Sequence, residues 1–462
     1  MINLKPFILL LCFIICLFCS GGSLAEYCLA IPSIIAVSFI FFIANPKENV
    51  SILINSIIKL KEFRRLFYFF IWIIISAFVN VMFFKAHIPE TILSITFTYL
   101  LAFISCFIIG FLLIYYFDTK IVIKLFVCAL FAIMLFGLVE IILYKISIPL
   151  VGKVLFFTSG RATNLAYKYG LIPRIQSLFQ EPSHYGWFLI CNLPLTIEIS
   201  KCRYRIFSNK YTNLILKKSI FPLAILSLLF VKSAINIIFG IVIIALYHLF
   251  NLSKKKLIKY FLVSVTIIFL SCIALSFIDL SNTYLYRIIK TIQAFGDFDT
   301  FALVEPSLAT RITSYVNMFI IAIKHFIIGT GPGQLKYVFQ PQLIHSPLPL
   351  TIELQNYYKS LFPGSPNPAI FFKVLVDTGF VGILIFISFI SLIYKKIRHL
   401  SQKYSNDFIH SFNKGIFYLF ITYCFLAFYD SQLTCHYFWL LFGAMSGFYY
   451  KYCWNLKRQT DG

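Results

Sequence analysis

Apolar residues in this chain come in long unbroken runs separated by short polar punctuation, and the runs recur from one end to the other. They show neither the alternation of a half-buried strand nor the one-sided stripe of a surface helix; they are apolar on every side. As a helix, a run of roughly 20 such residues spans about 30 Å of hydrocarbon. The pattern predicts spans at 5 to 20, 27 to 44, 66 to 84, 91 to 117, 121 to 143 and 185 to 200. Further spans are expected at 217 to 231, 234 to 250, 260 to 278, 369 to 394, 415 to 429 and 433 to 450. The expected fold is all-α, a polytopic transmembrane bundle of about twelve helices, with residues 1 to 462 forming one integral membrane domain.

Two stretches break this rhythm. Residues 144 to 184 and 279 to 368 are too long and too polar to be simple turns, and ordered loops of that length usually carry function. The second contains a helical signal from Leu308 to Ile328: Ile312, Val316, Phe319, Ile320, Ile323 and Ile327 fall on one face, while Arg311, Ser314, Met318 and His325 fall on another. This predicts an amphipathic helix lying on the bundle, closed by Gly329-Thr330-Gly331-Pro332-Gly333. Those glycines permit positive φ, and the turn is either an ordinary helix stop or a set of backbone N–H groups open to a phosphate or sugar.

Composition excludes a soluble chain, with 60% hydrophobic residues, 54 Phe and only 12% charged residues. The formal charge of +23 would point to nucleic acid if it formed one basic face, but most of the 40 Lys and Arg sit in short loops on one side of the expected bundle. These are Lys47 to Arg65, Lys120 and Lys124, Lys201 to Lys218, Lys254 to Lys259, Lys395 to Lys414, and Lys451 to Arg458. Cytoplasmic loops retain positive charge, so both termini are expected in the cytoplasm and both long segments outside it, with no nucleic-acid partner. The start, with Lys5, an apolar run to Cys19 and Ser23-Leu24-Ala25, has features of a cleaved signal and is read as an uncleaved first span. The 12 Cys follow no metal or disulfide spacing, and with no P-loop and no acidic metal-binding pair in a cytoplasmic loop, an ATP-driven pump and a nucleotide-sugar enzyme both lose support.

Candidate chemistry lies in the outer segments. In Gln180-Glu181-Pro182-Ser183-His184, Pro182 suits the first turn of the sixth span because it lacks the N–H that would be orphaned there. Glu181 is then held at the mouth of the bundle. It acts as a base, or it pairs with an arginine and holds the loop together. His184 is a proton relay or a surface hydrogen-bonding group. Arg161, Arg174 and Arg311 can grip phosphate oxygens bidentately. Lys232 interrupts an apolar stretch at a tight outer turn, where it either snorkels to the surface or projects into a cavity beneath the loops. His325 shares the polar face with Arg311. Lys373 and Asp377 lie four apart on the tenth span and are expected to pair on one helix face.

These residues resemble the bacterial O-antigen polymerase family, within the larger group that includes the O-antigen ligases. Phe179-Gln180-Glu181-Pro182-Ser183 is similar to the Phe-X-Glu-Pro-Ser segment that precedes a span in many polymerases. Arg311 to Gly333 resembles the family's Arg-started amphipathic helix closed by a Gly-X-Gly turn, and Val374 to Gly382 resembles the start of the span after the large loop. The resemblance implies transfer of a glycan from an undecaprenyl-diphosphate-linked donor onto another lipid-linked repeat unit at the periplasmic face of the inner membrane, with no metal and no nucleotide cofactor. It implies Glu181, with His184 beside it, as the catalytic pair. Arg161, Arg174, Arg311, Lys232 and His325 would bind substrate, with membrane lipid around them and a protein that regulates chain length as partner. Ligases carry a His-Asn pair before the last motif; here that place reads Asn367-Pro368-Ala369, and His345 lies too far back. A ligase and a lipid-linked oligosaccharide flippase are the alternatives, the flippase expected to have short loops and polar residues inside the bundle.

Overall fold

The computed structural model describes residues 51, 54, 55, 58–146, 175, 177, 182–231, 234–251, 294–304, 306–359, 369–403, 408–428 and 436–460. Among these residues every regular element is helical and no strand occurs. A helix covers nine of the twelve stretches read as spans; the other three, 5 to 20, 27 to 44 and 260 to 278, lie outside the described residues. Among the described residues, five helical stretches are long and apolar enough to cross a membrane: Lys61–Phe84, Ile88–Tyr115, Thr119–Val139, Lys210–Phe230 and Ile370–Gln402. They point to a membrane-spanning protein.

In chain order the helices are α1 (Lys61–Phe84), α2 (Ile88–Leu93), α3 (Cys106–Tyr116), α4 (Thr119–Ile146), α5 (Pro182–Lys201), α6 (Lys210–Phe230) and α7 (Ala234–Asn251). They are followed by α8 (Phe298–Val304), α9 (Pro306–Lys324), α10 (Leu335–Gln342), α11 (Ile352–Lys359), α12 (Ile370–Lys403), α13 (Phe408–Leu426) and α14 (His436–Thr460). A π-helical stretch, Ser94–Ser105, joins α2 to α3 and is closed by the Ser105 hydroxyl donating to the carbonyl of Leu100 at 2.8 Å.

The chain divides into two compact units. The first comprises residues 1–233, 322–335 and 367–462, and the second comprises 234–321 and 336–366. In the first, α3 packs on α14, α5 on α13 and α6, and α1 on α12. The α3–α14 crossing is made by glycine: a methyl at Gly110 would sit 2.0 Å from the carbonyl oxygen of Leu440, and one at Gly443 1.9 Å from that of Phe107. Small residues at such spacing let backbones meet where lipid supplies no hydrophobic drive. Aromatic rings fill the remaining space. Phe103 meets Trp439 edge-on at 4.2 Å and also touches Phe69, Phe386 and Phe389, contacts each worth about 0.5–1.5 kcal/mol beyond area burial. From Tyr185 to Ile199 every residue of α5 is buried. Asn192, Thr196 and Glu198 are buried there among apolar residues, and the helix begins at Pro182, as the sequence predicts.

The helix expected from Leu308 to Ile328 is found as α9, most of which lies in the second unit. Its polar side is the buried one. Thr310 meets the Thr351 hydroxyl at 2.6 Å, and Asn317 donates to the Ser346 hydroxyl at 2.9 Å. Ile312, Phe319, Ile323 and Ile327, on its apolar face, are exposed. Moment analysis locates an apolar face but not the medium it meets, and here the satisfied polar groups take the protein side.

Candidate functional site

Of the sequence-predicted residues, Glu181, Arg161, Arg174 and Lys232 lie outside the described residues. His184 is partly buried in the first turn of α5. Arg311 is partly buried on α9, beside Thr310. His325 follows the end of α9, packs edge-on against Phe84 at 6.3 Å, and has its pKa pushed below the ordinary value by burial and by the neighbouring Lys324 charge. His184 and His325 belong to the first unit and Arg311 to the second.

The best-defined constellation is one the sequence named only in parts. Helix α12 is broken at Gly379, where φ is 68° and ψ is −169°, a conformation open essentially to glycine alone. A break leaves carbonyls without helical partners, and inside a membrane each must find a donor. The Gly329–Gly333 turn provides them: Thr330 N–H donates to Val376 O at 2.8 Å, and Gly331 N–H donates to Asp377 O at 3.1 Å. In return, Phe380 N–H donates to Phe326 O at 2.7 Å. The turn can approach this closely only because glycine, with no side chain, stands at the points of contact. A methyl on Gly329 would lie 2.5 Å from the Gly379 nitrogen, and one on Gly379 would lie 2.3 Å from Ile327 O. Gly329, Gly331 and Gly333 all have positive φ. The backbone groups thought open to a phosphate are therefore partly committed to protein, since the N–H of Gly329, Thr330 and Gly331 each have a carbonyl partner.

One face of α1 completes the junction. Trp72 Nε1 donates to Thr378 O at 2.8 Å, Ser76 Oγ reaches Ile328 O at 2.8 Å and Asp377 O at 3.0 Å, and Asn80 Nδ2 donates to Gly329 O at 3.2 Å. These three residues are spaced four apart in the apolar part of the helix, a polar stripe the sequence displayed and the reading did not single out. Gln334 closes the other side of the turn. Its Oε1 accepts from His87 N–H at 2.9 Å, and its Nε2 donates to His87 O and to Thr91 Oγ1, tying it to the start of α2.

Beneath the break sits a buried carboxylate. Lys373 and Asp377 pair at 3.3 Å, as their spacing predicts, and Tyr99 of the π-helical stretch donates to the same carboxylate oxygen at 2.7 Å. Asp377 is fully buried, while its other oxygen, Oδ1, has no hydrogen-bond partner among the described residues. Tyr99 was missed because nothing local marks it, although π-helical segments often occur where function needs a displaced side chain. Among the described residues, no group of three His, Cys, Asp or Glu is gathered as a metal site would require. Neither the known protein-family models nor the curated protein sequences give a match to this chain.

Proposed function

We propose that this chain is a membrane-embedded polymerase of lipid-linked glycan repeat units, the activity implied by its resemblance to the O-antigen polymerases. The observation that supports the reading is the docking of the Gly329–Gly333 turn on the break of α12, because it joins two of the three segments that carry the resemblance. The third segment contributes the start of α5 at Pro182. In this reading the chain has about twelve spans, and the positive charge of its short loops argues for both termini in the cytoplasm and both long segments at the periplasmic face of a bacterial inner membrane.

In this reading the acceptor sugar hydroxyl attacks the anomeric carbon of the donor glycan. Its proton passes to Glu181, with His184 as relay, and the bond from the anomeric carbon to undecaprenyl diphosphate breaks. Arg161, Arg174 and Arg311 hold the departing diphosphate, with Lys232 and His325 at the edge of the substrate. The diphosphate is already a competent leaving group, so the reading calls on no metal or nucleotide. A partner that sets chain length acts on the same enzyme.

A transporter of the same lipid-linked glycans is the second reading. Buried charge pairs within the helices favour it: Glu62 with Lys396, and Lys373 with Asp377. Deleting the gene in a host that makes smooth lipopolysaccharide separates the two. Loss of the ladder with a single repeat still attached is the outcome expected of a polymerase, and bare core with no repeat would overturn that reading. Glu181→Gln and Arg311→Ala at normal protein level are each expected to abolish the ladder.

A further inference from the structure

The outward face of α9 and the turn after it presents Phe319, Ile323, Phe326 and Ile327 at helical spacing, while the opposite face is occupied by satisfied polar contacts. Ile323 is 56% exposed and Ile327 63%. A stripe this apolar on a soluble surface would mark a partner. What identifies the partner here is continuity. Phe326 stacks on Phe380 at 4.8 Å with the planes 16° apart. Phe380 lies on the exposed face of α12 with Leu384 and Ile387, within a stretch long and apolar enough to cross a membrane. The exposed apolar surface of a spanning helix thus passes directly onto the segment after α9. On the other side, Phe84 closes against His325 and is itself exposed at the end of α1, which is also long and apolar enough to span. Lys85 and Lys324 are exposed beside the stripe, where they match anionic headgroups.

We infer that the Phe319-to-Ile327 face is a lipid-contact surface, buried in the boundary between headgroups and acyl chains of one leaflet. It anchors the end of the long segment beside the α12 break. An interfacial helix needs an apolar face turned to the acyl chains and polar groups satisfied on its other side, and α9 has both. The inference depends only on the chain spanning a membrane and stands apart from the polymerase reading.

The test introduces the photoreactive residue p-benzoylphenylalanine, one position at a time, at Ile323, Ile327 and Phe319 of the full chain in vesicles of phosphatidylethanolamine and phosphatidylglycerol. Leu384 on α12 is the lipid-facing reference, and Glu353, exposed on α11, is the aqueous one. After irradiation, mass spectrometry counts lipid adducts. Ile323 and Ile327 are expected to give adducts within about threefold of Leu384, and at least about tenfold above Glu353. Adducts at the level of Glu353, a band at twice the chain mass, or a crosslink within the chain would each overturn the inference. Both positions are exposed, so the probe replaces no packed side chain, and the aromatic Phe319 site serves as the conservative repeat.

Discussion

The two ends of the α1–α12 pair are held together by different chemistry. At one end, Lys396 meets the buried carboxylate of Glu62, Ser446 donates to the same oxygen at 2.5 Å, and the ammonium lies over the Tyr449 ring at 5.0 Å. At the other, the contact is mostly backbone: two glycine-bearing segments exchange N–H and carbonyl groups, and α1 contributes Trp72, Ser76 and Asn80. A side-chain clamp tolerates exchange of one polar group for another of similar reach. A backbone clamp tolerates nothing larger than hydrogen, because its geometry is set by the closeness of two chains. The first end fastens; the second positions the Gly329–Gly333 turn and, with it, the end of the long segment.

Gly379→Val would break that comparison most severely. The dihedral angles alone cost on the order of 3 kcal/mol for a residue with a side chain, and the added Cβ would lie 2.3 Å from Ile327 O. Loss of the monodisperse protein peak after detergent extraction is the expected result, with Gly379→Ala milder but still strongly destabilised in a thermal-shift assay. An unchanged melting temperature for Gly379→Ala would mean that the backbones do not approach as described.

Much of this architecture can be seen in the sequence, and the part that cannot has a physical reason. Spans such as Lys61–Phe84 and Lys210–Phe230 announce themselves because the bilayer fixes their length and lipid fixes their composition. The Lys373–Asp377 pair was legible because four residues make one helical turn. The clamp was not. Gly329 and Gly379 meet across a large sequence separation, and each taken alone reads as an ordinary turn or a flexible point in a span. Trp72, Ser76 and Asn80 carried a usable signal in their common spacing, but their partners are carbonyls, which a sequence does not distinguish. For α9 the periodicity marked the two faces but not which of them the protein takes, because in a membrane protein the apolar face can belong to lipid rather than to the core. Of the proposed site, His184, Arg311 and His325 are located, whereas Glu181, the residue on which the chemistry turns, lies outside the described residues.

The charged end offers the next test. Lys396→Met leaves Glu62 buried without its cation, which should cost about 3 kcal/mol by the usual behaviour of broken buried pairs. Replacing both, Glu62→Gln with Lys396→Met, should recover most of that loss, since paired removal leaves no uncompensated charge. A double-mutant cycle on thermal unfolding in detergent measures the difference. Equal melting temperatures for Lys396→Met and the parent chain would show that this end contributes no fastening and would collapse the contrast between the two ends.

The smallest effect expected lies at His325, whose carbonyl accepts the Gly329 N–H and whose ring is pressed against Phe84. Burial, reinforced by the adjacent Lys324 charge, lowers its pKa below the ordinary 6.5, so the folded state favours the neutral imidazole. The unfolded chain then takes up the proton at a higher pH than the folded one. Stability from this group is therefore fully present above about pH 6.5 and falls as the pH drops from there through the folded pKa. The ring is only partly buried, so the change is modest. Melting temperatures measured between pH 7.5 and pH 5 for the parent and for His325→Gln should show a shallower acid slope in the variant, which has no proton to take up at this position. Parallel slopes would place the acid sensitivity elsewhere and leave the backbone clamp without a titrating neighbour that matters.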